Sequence, residues 1–254
     1  MNKVKITAII PTKNEEDNIE AAIKSVSFAD EIIVVDSFST DRTVEIARKY
    51  ADKVVQHEYI NSAAQKNWII PQAKNEWIII LDADERITPQ LRDEILHILS
   101  RPTEYVAFWI GRINYFMGKR IRFGGWGKDK VIRLFRKSKC RYENKHVHAE
   151  IIADGKVGKL KNKIIHYTYK NFNDYYSKLL KYSTWGAKDR LNKIDNVGFF
   201  YLSVKPFLSF INVYIFRLGF LDGKVGFILA KLLAHYVFLR YLKIWLMKRG
   251  EKFD

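Results

Sequence analysis

The sequence predicts an α/β fold in which a doubly wound, parallel sheet is followed by a helical C-terminal region. Short apolar runs alternate with helix-like stretches through residues 1–100, which is typical of strand–helix units in one parallel sheet. From about residue 170 the pattern becomes that of long helices. The 254 residues suffice for one large domain and an appendage, so we expect a domain over 1–168 and a helical region over 169–254.

The first predicted strand covers residues 6–10, and Asn14 in the next loop is a candidate cap for a helix over 15–26. Acids in the first turn of that helix suit the positive end of its dipole. The following predicted elements are a strand at 32–35, a helix at 40–50, a strand at 53–55, a helix at 62–73 and a strand at 77–81. The last strand is apolar throughout, as in strands that are buried on both faces.

Beyond residue 104 the pattern predicts mixed strands that complete the same domain, and then helices. The predicted strands lie at 105–110, 130–135 and 146–152, and the predicted helices lie at 171–193, 197–219 and 224–248. We therefore expect a mixed sheet flanked by helices.

Charge is distributed unevenly along the chain, whose formal net charge is +16. Residues 1–100 contain 12 basic and 17 acidic side chains, whereas residues 101–254 contain 32 basic and 11 acidic ones. A polyanion is therefore the expected partner of the second part. The candidates are nucleic acid, an anionic membrane surface and a phosphorylated glycolipid.

The cysteine count and the first residues of the chain predict the cellular compartment of the protein. The single cysteine, Cys140, excludes an internal disulfide, and the first residues lack the apolar run of a signal peptide. We therefore expect a cytoplasmic protein.

The last sixty residues are rich in aromatic and basic side chains, with 14 of the 36 aromatic residues of the chain. Their longest uncharged run, Pro206 to Phe216, has eleven residues, whereas a span of the bilayer needs about 20. The pattern favours helices that lie in the membrane interface, where aromatic rings sit among the headgroups and cations meet anionic lipid. The alternative is that the aromatic residues pack against the first domain and the cations are merely solvated.

Two acids, Asp82 and Asp84, directly follow the apolar run at 77–81. Ligands bind beyond the carboxyl ends of parallel strands, and carboxylates are the ligands that Mg²⁺ and Mn²⁺ prefer. Such an ion can neutralise the charge of a leaving diphosphate. Acid pairs in loops are also common as solvated residues, so the pattern alone leaves both interpretations open.

Asp36 ends an equally apolar strand, where a carboxylate can accept hydrogen bonds from a ribose hydroxyl or a base N–H. A turn residue is the alternative, because the segment that follows is rich in turn formers. The loop at 11–15 is not rich in glycine. This absence counts against nucleotide-hydrolysing P-loop enzymes and dehydrogenases.

On a strand, His146, His148 and Glu150 would share one face, which could hold a general base. A zinc site is the rival interpretation, but no second cysteine or suitably spaced histidine pair supports it. The third interpretation is that these residues form a solvated polar face of a strand.

Together these segments resemble glycosyltransferase family 2. The four motifs, in order, are Ile9-Ile10-Pro11-Thr12-Lys13-Asn14-Glu15-Glu16, Val34-Val35-Asp36-Ser37-Phe38-Ser39-Thr40-Asp41-Arg42-Thr43, Gln65-Lys66-Asn67-Trp68 and Leu81-Asp82-Ala83-Asp84-Glu85. Later segments, among them Trp126-Gly127-Lys128-Asp129 and Arg133-Leu134-Phe135-Arg136, resemble the bacterial branch with lipopolysaccharide core glucosyltransferases. The resemblance implies a GT-A fold, a nucleotide-sugar donor that we expect to be UDP-linked, a divalent metal (Mn or Mg) and inversion at the anomeric carbon.

The resemblance also implies roles for individual residues. Those that it places at the donor are Pro11, Thr12, Glu15, Asp36, Lys66, Asp82, Ala83 and Asp84. Of these, Thr12, Glu15 and Asp36 would contact the nucleoside and Lys66 would lie near it. Asp82 and Asp84 would hold the metal and the diphosphate.

The general base is assigned less directly. Relatives often have Val-His-Glu where this chain has Val147-His148-Ala149, so the acid is displaced by one position to Glu150. We therefore prefer Glu150, with His148 and Asp129 as rivals.

The expected function is transfer of a hexose, with glucose from UDP-glucose as the first candidate, to the inner core of lipopolysaccharide or lipooligosaccharide. We expect an anionic glycolipid acceptor and a peripheral location on the cytoplasmic surface of the inner membrane. Transfer to a polyprenyl phosphate or another surface glycan is the alternative. A basic nucleic-acid-binding protein is the rival of another class, but no recognition motif supports it, so we expect no nucleic acid.

Overall fold

The computed structural model describes residues 4–143, 150–169 and 171–253. Within these residues a mixed sheet of nine strands is flanked by helices, and the C-terminal part is helical. The predicted fold class is thereby confirmed. The chain divides into two compact units, Met1–Ile113 with Asp129–His166, and Asn114–Lys128 with Tyr167–Asp254.

The structure defines the bounds of each element. The strands are β1 (Ile6–Thr12), β2 (Glu31–Asp36), β3 (Lys53–Gln56), β4 (Trp77–Ile80), β5 (Glu85–Ile87), β6 (Tyr105–Phe116), β7 (Lys119–Ile121), β8 (Lys130–Arg136), β9 (Cys140–Tyr142), β10 (Ile151–Ala153) and β11 (Lys156–Tyr169). The α-helices are α1 (Ile19–Ser25), α2 (Thr43–Ala47), α3 (Ser62–Ile69), α4 (Pro89–Leu99), α5 (Phe172–Lys188), α6 (Lys205–Ile211) and α7 (Gly223–Met247).

The first four strands are parallel and lie in the order β3, β2, β1, β4. Thr12 at the end of β1 is in register with Asp36 at the end of β2. Every residue of β2 and β4 is buried, as expected for strands with helices on both faces. The carboxyl ends of these strands therefore meet at one edge of the sheet, which we call the carboxyl edge.

The remaining strands run antiparallel to their neighbours where the pairing is defined. β8 pairs with β4, β6 pairs with β8, and the short β5 pairs with β11 at the far side of the sheet. The sequence pattern did not indicate β5, because three residues are too few to show a period. Of the strand predicted at 146–152, residues 146–149 lie outside the described part and Ile151 begins β10.

Apolar side chains pack on both faces of the sheet. Ile10 of β1 packs in one core with residues of α1 and α4, whereas Ile9 packs in the other with residues of α3. This alternation follows from the two-residue period of a strand. Burial on both faces fixes the strands and hence the positions of the loops at the carboxyl edge.

The C-terminal residues form helices close to those predicted. A helical segment over Phe200–Phe216 combines α6 with π-helical turns, and the helix Gly219–Met247, which includes α7, is 29 residues long. By length and composition alone this helix could cross a membrane. Core helices of proteins that do not span a membrane pass the same test, so this finding does not contradict the predicted interfacial helix.

Candidate active site

The loops after β1 and β2 are joined by hydrogen bonds. Asn14 adopts a left-handed conformation with φ of 54°, and its N–H donates to the Ser39 hydroxyl at 2.8 Å. The Asn14 side-chain oxygen accepts the Thr40 N–H at 2.8 Å. The predicted cap at Asn14 is therefore wrong: its side chain holds the neighbouring loop, and α1 begins only at Ile19.

Asp36 is fully buried at the end of β2. Its carboxylate accepts hydrogen bonds from the N–H of Ser39 at 3.0 Å, from the Ser39 hydroxyl, and from Nε2 of Gln56 at 3.1 Å. The hydroxyl of Thr12 is buried beside this strand end and has no hydrogen-bond partner among the described residues. A buried acid and an unpaired buried hydroxyl thus end adjacent strands, where a polar ligand could satisfy the hydroxyl.

Glu15 and Pro11 complete the loop after β1. The N–H of Glu15 donates to the Thr43 hydroxyl at 2.7 Å, and its carboxylate accepts from Nδ2 of Asn18 at 2.8 Å. Pro11 is half-buried, opposite Val35 in the sheet register. Both residues lie at the carboxyl edge, as predicted for donor contacts, but their role stays a prediction.

Helix α3 places Lys66 at the same edge. The side chain of Asn61 caps this helix by accepting the Ala64 N–H at 2.8 Å. Lys66 is buried, and its ammonium lies 3.1 Å from Oδ1 of Asp82 and 5.3 Å from the centre of the Tyr142 ring. The cation is thereby held against the loop after β4.

Asp82 is bound by two cations. Its other oxygen contacts the guanidinium of Arg133, a buried residue of β8. Burial acts to raise the pKa of the Asp82 carboxyl, but the charges of Arg133 and Lys66 outweigh it and hold that pKa well below its usual range. Asp82 is therefore ionised across the physiological pH range.

Glu85 extends this contact into a continuous chain of ion pairs. One of its oxygens lies 2.9 Å from Arg133 and 3.3 Å from Arg112, and the other accepts the Asp82 N–H at 3.1 Å. Arg112 in turn contacts Asp129 with two nitrogens, each at 2.8 Å. We call the set Lys66, Asp82, Arg133, Glu85, Arg112 and Asp129 the ion-pair chain. Its three cations face three acids, so the charge of these partly or fully buried groups is balanced.

Asp84 points to a different partner. Its carboxylate lies 3.6 Å from Nε2 of His166 on β11, and both side chains are mostly buried. Ala83 between the two acids is buried, and its carbonyl accepts from Arg86 at 2.7 Å. The two acids of the loop therefore have separate environments.

The donor atoms present fit a divalent metal at Asp84 and His166. Ligands about 2.1 Å from one ion lie roughly 3 Å apart, close to the observed separation, and Mn²⁺ accepts both oxygen and imidazole nitrogen. Within residues 4–143, 150–169 and 171–253 there is no group of three such ligands, so a diphosphate and water would have to supply the rest. Both oxygens of Asp82 contact cations, and its assignment as a metal ligand stays a prediction.

The base candidates differ in environment. Glu150 is exposed at the start of β10, and its carbonyl accepts the N–H of Glu143 at 2.9 Å. Asp129 is partly buried and held by Arg112. His148 lies outside the described residues, as does His146, so the proposed polar strand face is not described beyond Glu150.

The sequence analysis gave no individual role to four residues of this region, Arg133, Glu85, Arg112 and His166, although Glu85 and Arg133 lie in motifs that carry the resemblance. A signal for Arg133 was present, because a charged residue inside the apolar run of β8 must find a buried partner. The pairing of His166 with Asp84 had no such signal, since it depends on the contact between β5 and β11.

We predict that Glu85→Gln destabilises the fold by about 3 kcal/mol, because two arginines then lose the buried charge that compensates them. Glu104→Gln is the matched control: Glu104 pairs with Lys156 at 2.7 Å on the exposed surface, where we expect a loss below about 1 kcal/mol. Urea unfolding of both variants measures the difference. Equal losses would contradict a stabilising role of the ion-pair chain.

Comparison with known proteins agrees with the resemblance seen in the sequence. Residues 7–154 match the family model described as glycosyl transferase family 2. The lipopolysaccharide core biosynthesis glycosyltransferase LpsC of Rhizobium meliloti is 30% identical over 251 residues, which cover 96% of this chain and 93% of LpsC. An uncharacterized glycosyltransferase of Rickettsia conorii is 31% identical over 94% of this chain and 89% of its own length.

Solved structures of low sequence identity also match. The TarS 1-349 structure from S. aureus in complex with UDP is 16% identical, covers 99% of this chain and 93% of its own, and has a TM-score of 0.49. Glucosyl-3-phosphoglycerate synthase from Mycobacterium tuberculosis, in complex with Mn²⁺, UDP and its product, is 21% identical over 44% of each chain, with a TM-score of 0.38. On the family match and the relatives that span nearly its whole length, this chain is a glycosyltransferase of family 2.

Proposed function

We propose that this glycosyltransferase moves a hexose from a UDP-linked donor, with UDP-glucose as the first candidate, onto the inner core of lipopolysaccharide or lipooligosaccharide, with inversion. The observation that supports it is the arrangement of the carboxyl edge, where Asp36 and the loop of Asp84 end strands on either side of β1. At about 4.8 Å per strand these ends are roughly 10 Å apart, a separation that suits a nucleoside joined to a diphosphate. The similarity to LpsC supports the class of acceptor.

The residues of the carboxyl edge bind and orient the donor. Asp36 accepts hydrogen bonds from the nucleoside. The unpaired hydroxyl of Thr12 and the loop of Glu15 also contact the nucleoside, and Lys66 lies beside it. Asp84 and His166 hold the divalent metal, with Asp82 next to them. When bound, the metal neutralises the charge that develops on the leaving diphosphate.

The general base removes the proton of the acceptor hydroxyl as that oxygen attacks C1 of the sugar, opposite the diphosphate. We assign Glu150 to this role, with Asp129 and His148 as rivals. The exposure of Glu150 leaves its carboxylate accessible to an acceptor, whereas Asp129 is held by Arg112. A positioned base contributes about 10²- to 10⁴-fold to the rate.

The acceptor is an anionic glycolipid at the cytoplasmic surface of the inner membrane, with which the protein associates peripherally. Residues 1–168 bind the donor and catalyse transfer, and residues 169–254 face the membrane and the acceptor. The surplus of basic residues beyond residue 100 supports this assignment, because phosphorylated inner core and membrane are both anionic. A polyprenyl phosphate is the alternative acceptor, and a nucleic-acid partner is not proposed.

The direct test is release of nucleotide diphosphate from a panel of nucleotide sugars with Mn²⁺, with and without a heptose-containing inner-core acceptor. We expect release from a UDP-hexose that rises when the acceptor is added. Stimulation by a polyprenyl phosphate instead would favour the alternative acceptor. If no nucleotide sugar is turned over, and RNA binds with a steep salt dependence, the proposal is wrong.

For the metal, we expect Asp84→Asn to abolish Mn²⁺-dependent transfer without unfolding the protein, because it removes an anionic ligand.

His166→Ala should weaken Mn²⁺ binding in the presence of UDP at least tenfold, measured by titration calorimetry. His97→Ala is the matched control, since His97 is exposed on α4 and should leave Mn²⁺ binding unchanged. Near wild-type turnover of Asp84→Asn would exclude the metal role of Asp84.

For the base, we expect Glu150→Gln to lower turnover by about 10²-fold or more with little change in the KM of the donor. Glu143→Gln, which neutralises the adjacent acid of the same hairpin, is the control and should retain most of the activity. If Asp129→Asn shows the selective loss of turnover and Glu150→Gln does not, Asp129 is the base.

A further inference from the structure

A turn in the C-terminal region exposes an unusual run of large apolar side chains. Five of the seven residues from 215 to 221 have apolar side chains that are between 43% and 76% exposed. They are Ile215, Phe216, Leu218, Phe220 and Leu221, which we call the apolar tip. Single exposed apolar residues are ordinary, but a contiguous group marks a surface that contacts a protein or a membrane.

The apolar tip has a defined backbone conformation. The carbonyl of Arg217 accepts the N–H of Gly124 at 2.9 Å, and the buried carboxylate of Asp222 accepts the N–H of Phe123 at 2.9 Å. Gly226 allows close packing, because a Cβ there would lie 1.8 Å from the carbonyl oxygen of Gly219. The exposure of the tip is therefore a property of the fold.

The charges around the tip point to an anionic partner. Residues 196–250 contain eight basic side chains and a single acid, the buried Asp222. Arg217 within the tip and Lys224 just after it are both exposed. A second copy of the chain would bring like charges together at this surface, whereas anionic lipid headgroups complement them.

The two halves of α7 differ in burial. Its first half exposes Phe227, Ile228 and Leu233 and buries Leu229 and Ala230, whereas none of residues 235–247 is exposed. The Lys243 ammonium is fully used within the unit, since it donates to three oxygens of α5. These are the carbonyl of Leu180 at 2.8 Å, the hydroxyl of Ser183 at 2.9 Å and the hydroxyl of Thr184 at 2.8 Å.

We infer that the apolar tip inserts into the headgroup region of an anionic bilayer while α7 does not cross it. Val237, Tyr241 and Ile244 in the second half of α7 pack within the protein, so this face of the helix is not available to lipid. Arg217 and Lys224 contact the anionic headgroups, and the apolar side chains of the tip lie just below these two cations. This inference rests on the proposed function only in expecting the acceptor at a membrane.

The first test is flotation of the purified protein with vesicles of phosphatidylcholine containing 30% phosphatidylglycerol. We expect the wild type to float, and the triple variant Phe216→Ser, Phe220→Ser, Leu221→Ser to lose at least tenfold in partitioning. The control replaces three exposed apolar or aromatic residues within 1–168, Tyr50, Ile60 and Ile152, with serine and should float like the wild type. Circular dichroism establishes that both variants fold.

The second test locates the tip. In a Cys140→Ser background, Phe216→Cys carries an environment-sensitive fluorophore, and Lys188→Cys at the exposed end of α5 carries the same label as a control. Anionic vesicles should raise and blue-shift the emission at position 216 alone. A label at Lys248→Cys should remain reducible by dithionite from outside the vesicles, whereas protection there would indicate that α7 spans the bilayer.

The outcomes separate this inference from the proposed function. Donor turnover with a soluble inner-core acceptor, but no change at position 216 with vesicles, would overturn the insertion and leave the transferase proposal intact. Vesicle insertion without turnover of any nucleotide sugar would overturn the transferase proposal and leave the insertion intact. A dimer in light scattering whose formation hides the label at 216 without lipid would assign the tip to a second copy instead.

Discussion

The contact between Arg133 and the loop after β4 is the interaction on which the rest of the site depends. Arg133 lies within an apolar strand, and a buried guanidinium is tolerated only when acids compensate its charge. Asp82 in that loop and Glu85 at the start of β5 do so, and Lys66 and Arg112 balance them from either side. The conformation of the loop is thus set by the need to neutralise charge at the edge of the core.

This constraint gives the two acids of the loop different chemistry. Asp82 contacts two cations, which stabilise its ionised form and occupy both oxygens. Asp84 instead faces His166, with its carboxylate 3.6 Å from Nε2. An acid pair that looks symmetrical in the sequence therefore divides into a residue that organises the loop and one that we propose as a metal ligand. Because the ion-pair chain reaches Asp129, it also orients one candidate base.

Local pattern sufficed to predict part of this arrangement. The runs at 32–35 and 77–81 are apolar because helices cover both faces of the sheet, and that burial placed Asp36 and Asp82 at strand ends. Contacts between distant segments could not be predicted, because β5 is too short for a period and its pairing with β11 brings His166 to Asp84. Asn14 was misassigned because a short polar side chain can cap a helix or hold a neighbouring loop, and only the structure distinguishes the two.

The C-terminal helix shows the same limit of local pattern. Hydropathy averaged along Gly219–Met247 treats all faces and both halves alike, so the helix qualifies as a membrane span by composition. Its apolar side chains have separate uses: Phe227, Ile228 and Leu233 are exposed, Leu229 packs against Phe116 and Ile121, and several after residue 236 form a core with α5 and the chain around Val197. A lysine that donates three hydrogen bonds inside that core would have to abandon them for the helix to enter lipid. The contacts of Lys243 and of the buried face, rather than hydropathy, therefore favour a helix that anchors the exposed turn to the protein.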